Sequence, residues 1–307
     1  MPACIVELGF MNSPTDNQLF DANVENYAKA IGDAVLKTYE AYGKDGADAT
    51  ESVEDVPGTE EQISTETGEG TTGQVLQNTQ IENVSSLDAT SHDWGLGSHT
   101  DDENRPLDAV NAQETYGKYN AYFIGDDTKD IYLTFDEGYE YGQTESILNT
   151  LKEKGVSATF FVTEPYAKDN PDLVRRMIDE GHVLGNHSVT HPSAGMPSLS
   201  LDKQNHAYIK ENFGYDMYLF RYPTGRFSEQ SLALLNNCNY KSIFWSFAYL
   251  DYDVNNQPDH ASSLQKMKDK LHPGAIYLLH AESETNAAVL GDFIDAVRAA
   301  GYGFKNF

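Results

Sequence analysis

The chain has 307 residues, 39% of them hydrophobic and 11% aromatic, with a formal net charge of −27. That length holds one large domain, or one domain with further pieces attached. The acidic balance speaks against a nucleic-acid partner, because phosphate binding needs a basic footprint, and no run of about 18 apolar residues is present to cross a membrane as a helix. The opening residues, Met1-Pro2-Ala3-Cys4-Ile5-Val6, lack the basic region and long apolar core of a signal peptide. Cys4 and Cys238 lie in separate segments and read as two unpaired thiols, which leaves the redox compartment open.

In chain order, Ala3–Val6 reads as a short strand. Phe20, Val24, Tyr27, Ala28, Ile31, Val35 and Tyr39 then recur at helical spacing and define one apolar face. One strand and one helix cannot bury a core of their own. Residues 45–90 show neither period and read as a disordered acidic linker. No Lys or Arg occurs between Asp45 and Arg105, so much of the net charge sits there, where like charges keep a chain extended. From residue 91 onward, β-rich runs alternate with helical patterns. Strands are expected at 131–135, 158–163, 182–186, 219–222, 241–246 and 275–280. Helices are expected at 144–154, 171–180, 202–213, 228–237, 262–271 and 286–300. Gly155, Gly181 and Gly301 stand just past helix ends, where a left-handed cap favours glycine. Such alternation predicts parallel strands with crossover helices, here a barrel-like α/β fold with its chemistry at the carboxyl ends of the strands.

The polar residues of interest do fall at expected strand ends. Ile131–Phe135 runs into Asp136-Glu137-Gly138, which is either a turn or a general base beside a metal ligand. The next is His187-Ser188-Val189-Thr190-His191-Pro192, whose two imidazoles could face one ion. Arg221 precedes Pro223 and Gly225, and an arginine so placed can hold a carboxylate in a fixed fork. Trp245 comes shortly before Asp251-Tyr252-Asp253, and the apolar run Ala275–Leu279 ends in His280. Each feature has an ordinary structural reading by itself. Their recurrence at successive strand ends points to a site.

In this order the motifs resemble the polysaccharide deacetylases of carbohydrate esterase family 4, the NodB-homology fold, over roughly residues 91–307. Thr134-Phe135-Asp136-Glu137-Gly138 is similar to the family's T-F-D-D-G, and His187–Pro192 to its H-[ST]-x-x-H-P. Arg221–Gly225, Asp251–Asp253 and Leu278-Leu279-His280 resemble its remaining motifs. Gly125-Asp126, Phe244-Trp245-Ser246, Asn256-Gln257-Pro258 and His272-Pro273-Gly274 are similar to the branch that deacetylates N-acetylmuramic acid on the way to muramic δ-lactam in spore cortex. The resemblance implies a distorted (β/α) barrel. It implies Asp136 as general base oriented by Arg221, and His280 as general acid tuned by Asp251 or Asp253. It also implies a divalent metal, zinc first and manganese, cobalt or magnesium otherwise, held by His187 and His191. Leu278 would line the acetyl-methyl pocket, with Tyr222, Tyr252 and Trp245 on the substrate side. Glu137 departs from the family's Asp and the branch's Asn; one methylene longer, it either binds the ion in altered geometry or misses it. Tyr222 and Tyr252 replace the common Pro and Trp.

Residues 1–44 resemble something else, the carboxyl-terminal end of zinc N-acetylmuramoyl-L-alanine amidases, with Glu7 at that family's catalytic glutamate. The implied whole is an amidase–linker–deacetylase chain of which this sequence holds part, or a start at an internal methionine. The expected partner is peptidoglycan glycan, with functional coupling to an amidase and an extracytoplasmic location in the cell envelope or spore cortex. Chitin, xylan and the N-acetylglucosamine of peptidoglycan are alternative substrates, and a non-catalytic glycan-binding module is the alternative class.

Overall fold

The computed structural model describes residues 78–189 and 199–307. The expected strand at 3–6, the helix that follows it, Glu7, most of the linker and His191 lie outside the described residues.

The sheet is built around β3 (Asp130–Glu137), whose Ile131-Tyr132-Leu133-Thr134-Phe135 run is buried on both faces, as a central parallel strand must be. β4 (Thr159–Val162), β5 (Val183–Asn186), β6 (Leu219–Phe220) and β8 (Lys241–Ile243) follow it in parallel on one side. On its other side β3 pairs in parallel with β9 (Ile276–His280), while β10 (Gly303–Phe304) fills the lower end of that edge. β2 (Ala121–Tyr122) does the same for β8. A short antiparallel pair, β1 (His92–Asp93) with β7 (Arg226–Phe227), lies outside this sheet.

Helices connect these strands. α1 (Leu107–Tyr116) precedes β2, and α2 (Thr144–Lys154) follows β3. α3 (Glu164–Asp169) and α4 (Pro171–Asp179) follow β4, and α5 (Leu199–Phe213) lies between β5 and β6. α6 (Glu229–Asn237), α7 (His260–Asp269) and α8 (Glu284–Ala299) complete the set. Six of these match the expected helices to within a few residues. α1 escapes sequence reading because its buried face is only Ala109 and Ala112. The expected strand at 241–246 stops at Ile243, because the chain there changes partner.

That change closes the barrel. Ser246 and Phe247 both donate their N–H to Ile276 O, and Leu278 N–H donates to Phe247 O. The sheet thus curls round on a few backbone bonds instead of a full strand pair, which makes the barrel distorted. Ser246 Oγ pins the seam: it accepts from Ile276 N–H at 2.9 Å and lies 2.8 Å from His272 Nε2. His272 Nδ1 is 2.7 Å from Lys270 O, an acceptor only, so the proton is on Nδ1 and Nε2 accepts from the serine. Burial holds this imidazole down to about 4, so it is neutral near pH 7. A Ser246→Ala variant is expected to lose about 1–3 kcal/mol of stability, through two buried groups left without partners, in urea unfolding.

Residues 78–90, placed by composition at the end of the linker, are held against the domain. Asn78 Nδ2 donates to Asn236 O and Tyr240 O, and Ile81 N–H donates to Asn237 Oδ1. Polar backbone satisfied by asparagines far along the chain leaves no hydrophobic period to read.

Candidate active site

The parallel register of β3 and β9 sets Asp136 directly beside His280 at the carboxyl ends of both strands. The nearby ends of β5, β6 and β8 bring in His187, Arg221 and Trp245. Asp136, His280, His187 and Trp245 line a cleft of about 580 Å³, with Arg221 buried behind Asp136.

Arg221 is fully buried. Its Nε and Nη2 donate to Ile243 O and Phe244 O at 3.1 Å each, and its guanidinium lies 4.2 Å over the Phe161 ring. With those groups fixed, Nη1 meets Asp136 Oδ1 at 2.8 Å. Burial by itself would raise the Asp136 carboxyl. The charge of Arg221 first, with His187 and His280 beside it, outweighs burial and holds the group below the usual carboxylate range. Oδ1 is committed to the arginine, and Oδ2 lies 3.4 Å from His187 Nε2. His187 Nδ1 donates to Arg221 O at 2.9 Å, so in the neutral ring Nε2 carries the lone pair.

His280 is arranged in the opposite sense. Its Nδ1 donates to Asp251 Oδ1 at 2.8 Å, and the residue lines the cleft. Burial pushes the imidazole down, yet the bond and charge of Asp251, reinforced by Asp136, lift it to about 9. Asp251 is fully buried, and its Oδ2 accepts from His280 N–H at 2.9 Å and Asn286 Nδ2 at 2.6 Å. Asn286 in turn accepts from the Tyr249 hydroxyl. Of the two aspartates nominated by sequence, Asp251 reaches His280. Asp253 does not: it is exposed, and its Oδ1 accepts from Asn255 N–H in the following turn.

Leu278, Trp245 and Tyr222 form buried parts of the cleft wall, and Tyr252, 55% exposed, stands at its rim with its ring inclined at 68° to that of His280. Tyr222 directs its hydroxyl to Ser231 Oγ at 3.0 Å, so the phenol fills the wall where a smaller ring would leave a gap. Gly225 cannot be replaced: at φ +72° its absent Cβ would sit 2.6 Å from the Trp245 ring. Sequence reasoning missed Tyr139 and Tyr141, both exposed at the cleft, along with Glu282 and Asn286. Glu282 stands two residues past His280; burial, partly countered by the charge of His280, lifts its carboxyl to about 7.

Glu137 is fully buried, and neither carboxylate oxygen has a hydrogen-bond partner at normal geometry, the Tyr166 hydroxyl being the polar side chain that acts on it. Burial first, then the charges of Glu282 and Glu140, push this carboxyl well above the usual range, which favours its neutral form. Among the described residues no three His, Cys, Asp or Glu side chains converge as a metal cluster, and His191 lies outside them. The residue types are nonetheless ones that a divalent ion takes, an imidazole nitrogen on His187 and the buried carboxyl of Glu137.

Comparison with known proteins agrees with this architecture. Residues 124–243 match the model of a polysaccharide deacetylase family. The peptidoglycan-N-acetylmuramic acid deacetylase PdaA of Bacillus subtilis is 43% identical over 195 residues, covering 62% of this chain and 74% of that protein. A chitooligosaccharide deacetylase of Rhizobium leguminosarum bv. trifolii is 35% identical over 162 residues, covering 51% of this chain and 73% of that protein. The structure of B. subtilis PdaA, described as a family 4 carbohydrate esterase, superposes with a TM-score of 0.64 at 36% identity, over 70% of this chain and 94% of that one. With its parallel barrel and the Asp–Arg and His–Asp pairs at the strand ends, the chain belongs to the polysaccharide deacetylases of carbohydrate esterase family 4, a family of hydrolases.

Proposed function

We propose that this enzyme removes the acetyl group from N-acetylmuramic acid in peptidoglycan glycan strands, on the route to muramic δ-lactam. One observation carries the chemical part of the reading: Asp136 and His280 stand side by side at one cleft, Asp136 hydrogen-bonded to the buried Arg221 and His280 to the buried Asp251. The 43% identity to a relative named for that substrate carries the choice of sugar.

In this reading Asp136 Oδ2 takes a proton from a water molecule as its oxygen bonds to the acetamide carbon. Arg221 keeps Oδ1 occupied, so the base acts from one oxygen. As the tetrahedral intermediate collapses, His280 gives a proton to the amide nitrogen, the C–N bond breaks, and acetate and a free amine leave. Asp251 fixes the proton on His280 Nδ1 and favours the charged ring that donates from the other nitrogen. His187, with His191 and Glu137, would hold a divalent ion, whose contribution when bound is to polarise the acetamide carbonyl. Leu278 receives the acetyl methyl, while the exposed rings of Tyr139, Tyr141 and Tyr252 offer faces to pyranose rings.

The amidase resemblance of residues 1–44 belongs to the same reading. An amidase activity on the same polymer would supply the peptide-free muramic acid that this cleft takes, and a tether would raise its effective concentration. The reading places the protein outside the cytoplasm, at the cell envelope or spore cortex.

Mass spectrometry of peptide-free muramyl glycan tests the proposal, with chitooligosaccharide in parallel and each arm repeated with a chelator. Loss of one acetyl per muramic acid, abolished by the chelator, is expected. Deacetylation of chitooligosaccharide alone would move the substrate to N-acetylglucosamine polymers. Full turnover in the presence of chelator would remove the ion from the reading.

A further inference from the structure

The turn that carries His187 is poorly supported by its own sequence. Asn186 ends β5, and Ser188 sits at φ +67°, a left-handed conformation that residues with a Cβ rarely adopt. No glycine relieves it. Within the turn, Ser188 N–H donates to Asn186 Oδ1 at 2.9 Å, an Asx-type closure. That bond depends on how the Asn186 amide is held.

Tyr240 holds one end of that amide, its hydroxyl accepting from Asn186 Nδ2 at 3.2 Å, and Asn205, on α5, supports the oxygen end. Asn205 is fully buried, and its Nδ2 lies 2.9 Å from Val162 O, 2.8 Å from Asn186 Oδ1 and 3.2 Å from Ser188 O. All three neighbours are acceptors, so only the amide nitrogen can face them. The contacts bracket His187: they reach the residues on either side of it, and its own N–H donates to the same Val162 O at 3.1 Å. Asn205 Oδ1, by contrast, is buried with no hydrogen-bond partner. A side chain present only to fill space would be better apolar, since an unmet buried carbonyl is costly. The NH₂ group is therefore the part of this residue that the fold uses.

We propose that Asn205 is a positioning residue for the reaction, clamping the Asn186–Ser188 turn and so setting the direction of the His187 ring. The inference rests on the reading in which His187 serves the deacetylation site. The ring's bond to Arg221 O fixes which nitrogen carries the proton. The backbone from which the ring projects is fixed by the turn.

Asn205→Ala in the full chain is expected to lower kcat on an acetylated oligosaccharide by about 10- to 100-fold, as loss of a supporting bond behind a functional group typically does. KM is expected to stay within about twofold, because Asn205 is buried behind the turn and is not among the residues lining the cleft. Zinc titration of the metal-free protein by calorimetry is expected to show affinity weakened by about tenfold or more. Adding Ser188→Gly to the alanine variant should recover several-fold in both readouts, since glycine takes the left-handed angle unaided. If the alanine variant does not accumulate folded, Asn205→Ser retains one donor and should show a smaller loss of the same kind, in kcat and not in KM. A variant that melts earlier yet keeps wild-type kcat and zinc affinity would reduce Asn205 to a packing group and overturn the proposal. Should the unmodified protein release no acetate from any glycan, the functional reading fails separately. The zinc titration still decides the clamp: weakened binding supports it and unchanged binding overturns it.

Discussion

An Asp136→Asn variant is expected to lose about 10³-fold or more in deacetylation rate, within the range that one positioned proton-transfer group supplies. Asparagine keeps the shape and can still accept from Arg221 Nη1, now 2.8 Å from Asp136 Oδ1, so near-ultraviolet circular dichroism should stay unchanged. What it cannot do is take a proton from water. It also leaves the fully buried guanidinium of Arg221 with no counter-charge. Removing one member of a buried pair costs about 3–5 kcal/mol, and the surviving hydrogen bond should place this variant near the lower figure in urea unfolding. Retained turnover would remove Asp136 from the mechanism; retained stability would mean that the Arg221 charge is balanced by other groups.

The second large effect concerns the acid. His280→Gln is expected to lower kcat by about 10²- to 10³-fold, and Asp251→Asn to change the pH profile more than the maximum rate. In the unmodified enzyme the imidazole is lifted to about 9. A general acid must be protonated, so activity should hold through neutral pH and fall as pH rises through about 9. Without the Asp251 carboxylate its hydrogen bond and charge are gone and only Asp136 and Glu282 oppose burial, so the alkaline limb should move down. Stability follows the same sign. A folded-state pKa above the unfolded one contributes stability that is complete below about 6.5 and disappears as pH rises through about 9. Urea midpoints across that range should therefore decline in the unmodified protein and flatten in Asp251→Asn.

Those two residues show how far the sequence alone reaches. Asp136 and His280 were legible because each closes a continuous apolar run, and parallel alternation puts such ends on one rim. Arg221 was legible from the Pro and Gly beside it. Asp251 and Asp253 could not be told apart, because the choice depends on which carboxylate α8 covers with Asn286. Asn286 and Asn205 were missed for a related reason. They are single amides on helices, far along the chain from the groups they hold, and no local periodicity marks them. Likewise, the β2 and β10 edges are two residues long, too short to carry an alternating pattern. The expectations for Glu7 and His191 concern residues outside those described.

The account depends on a charged imidazole standing beside a charged carboxylate at one cleft. Nitrogen-15 NMR of the histidine rings, followed from pH 5 to 10, tests it most directly. His280 is predicted to hold both ring protons at neutral pH and to titrate near 9, with the transition displaced downward in Asp251→Asn. A His280 ring already neutral at pH 7 would contradict the assignment of this residue as the acid that protonates the departing amine.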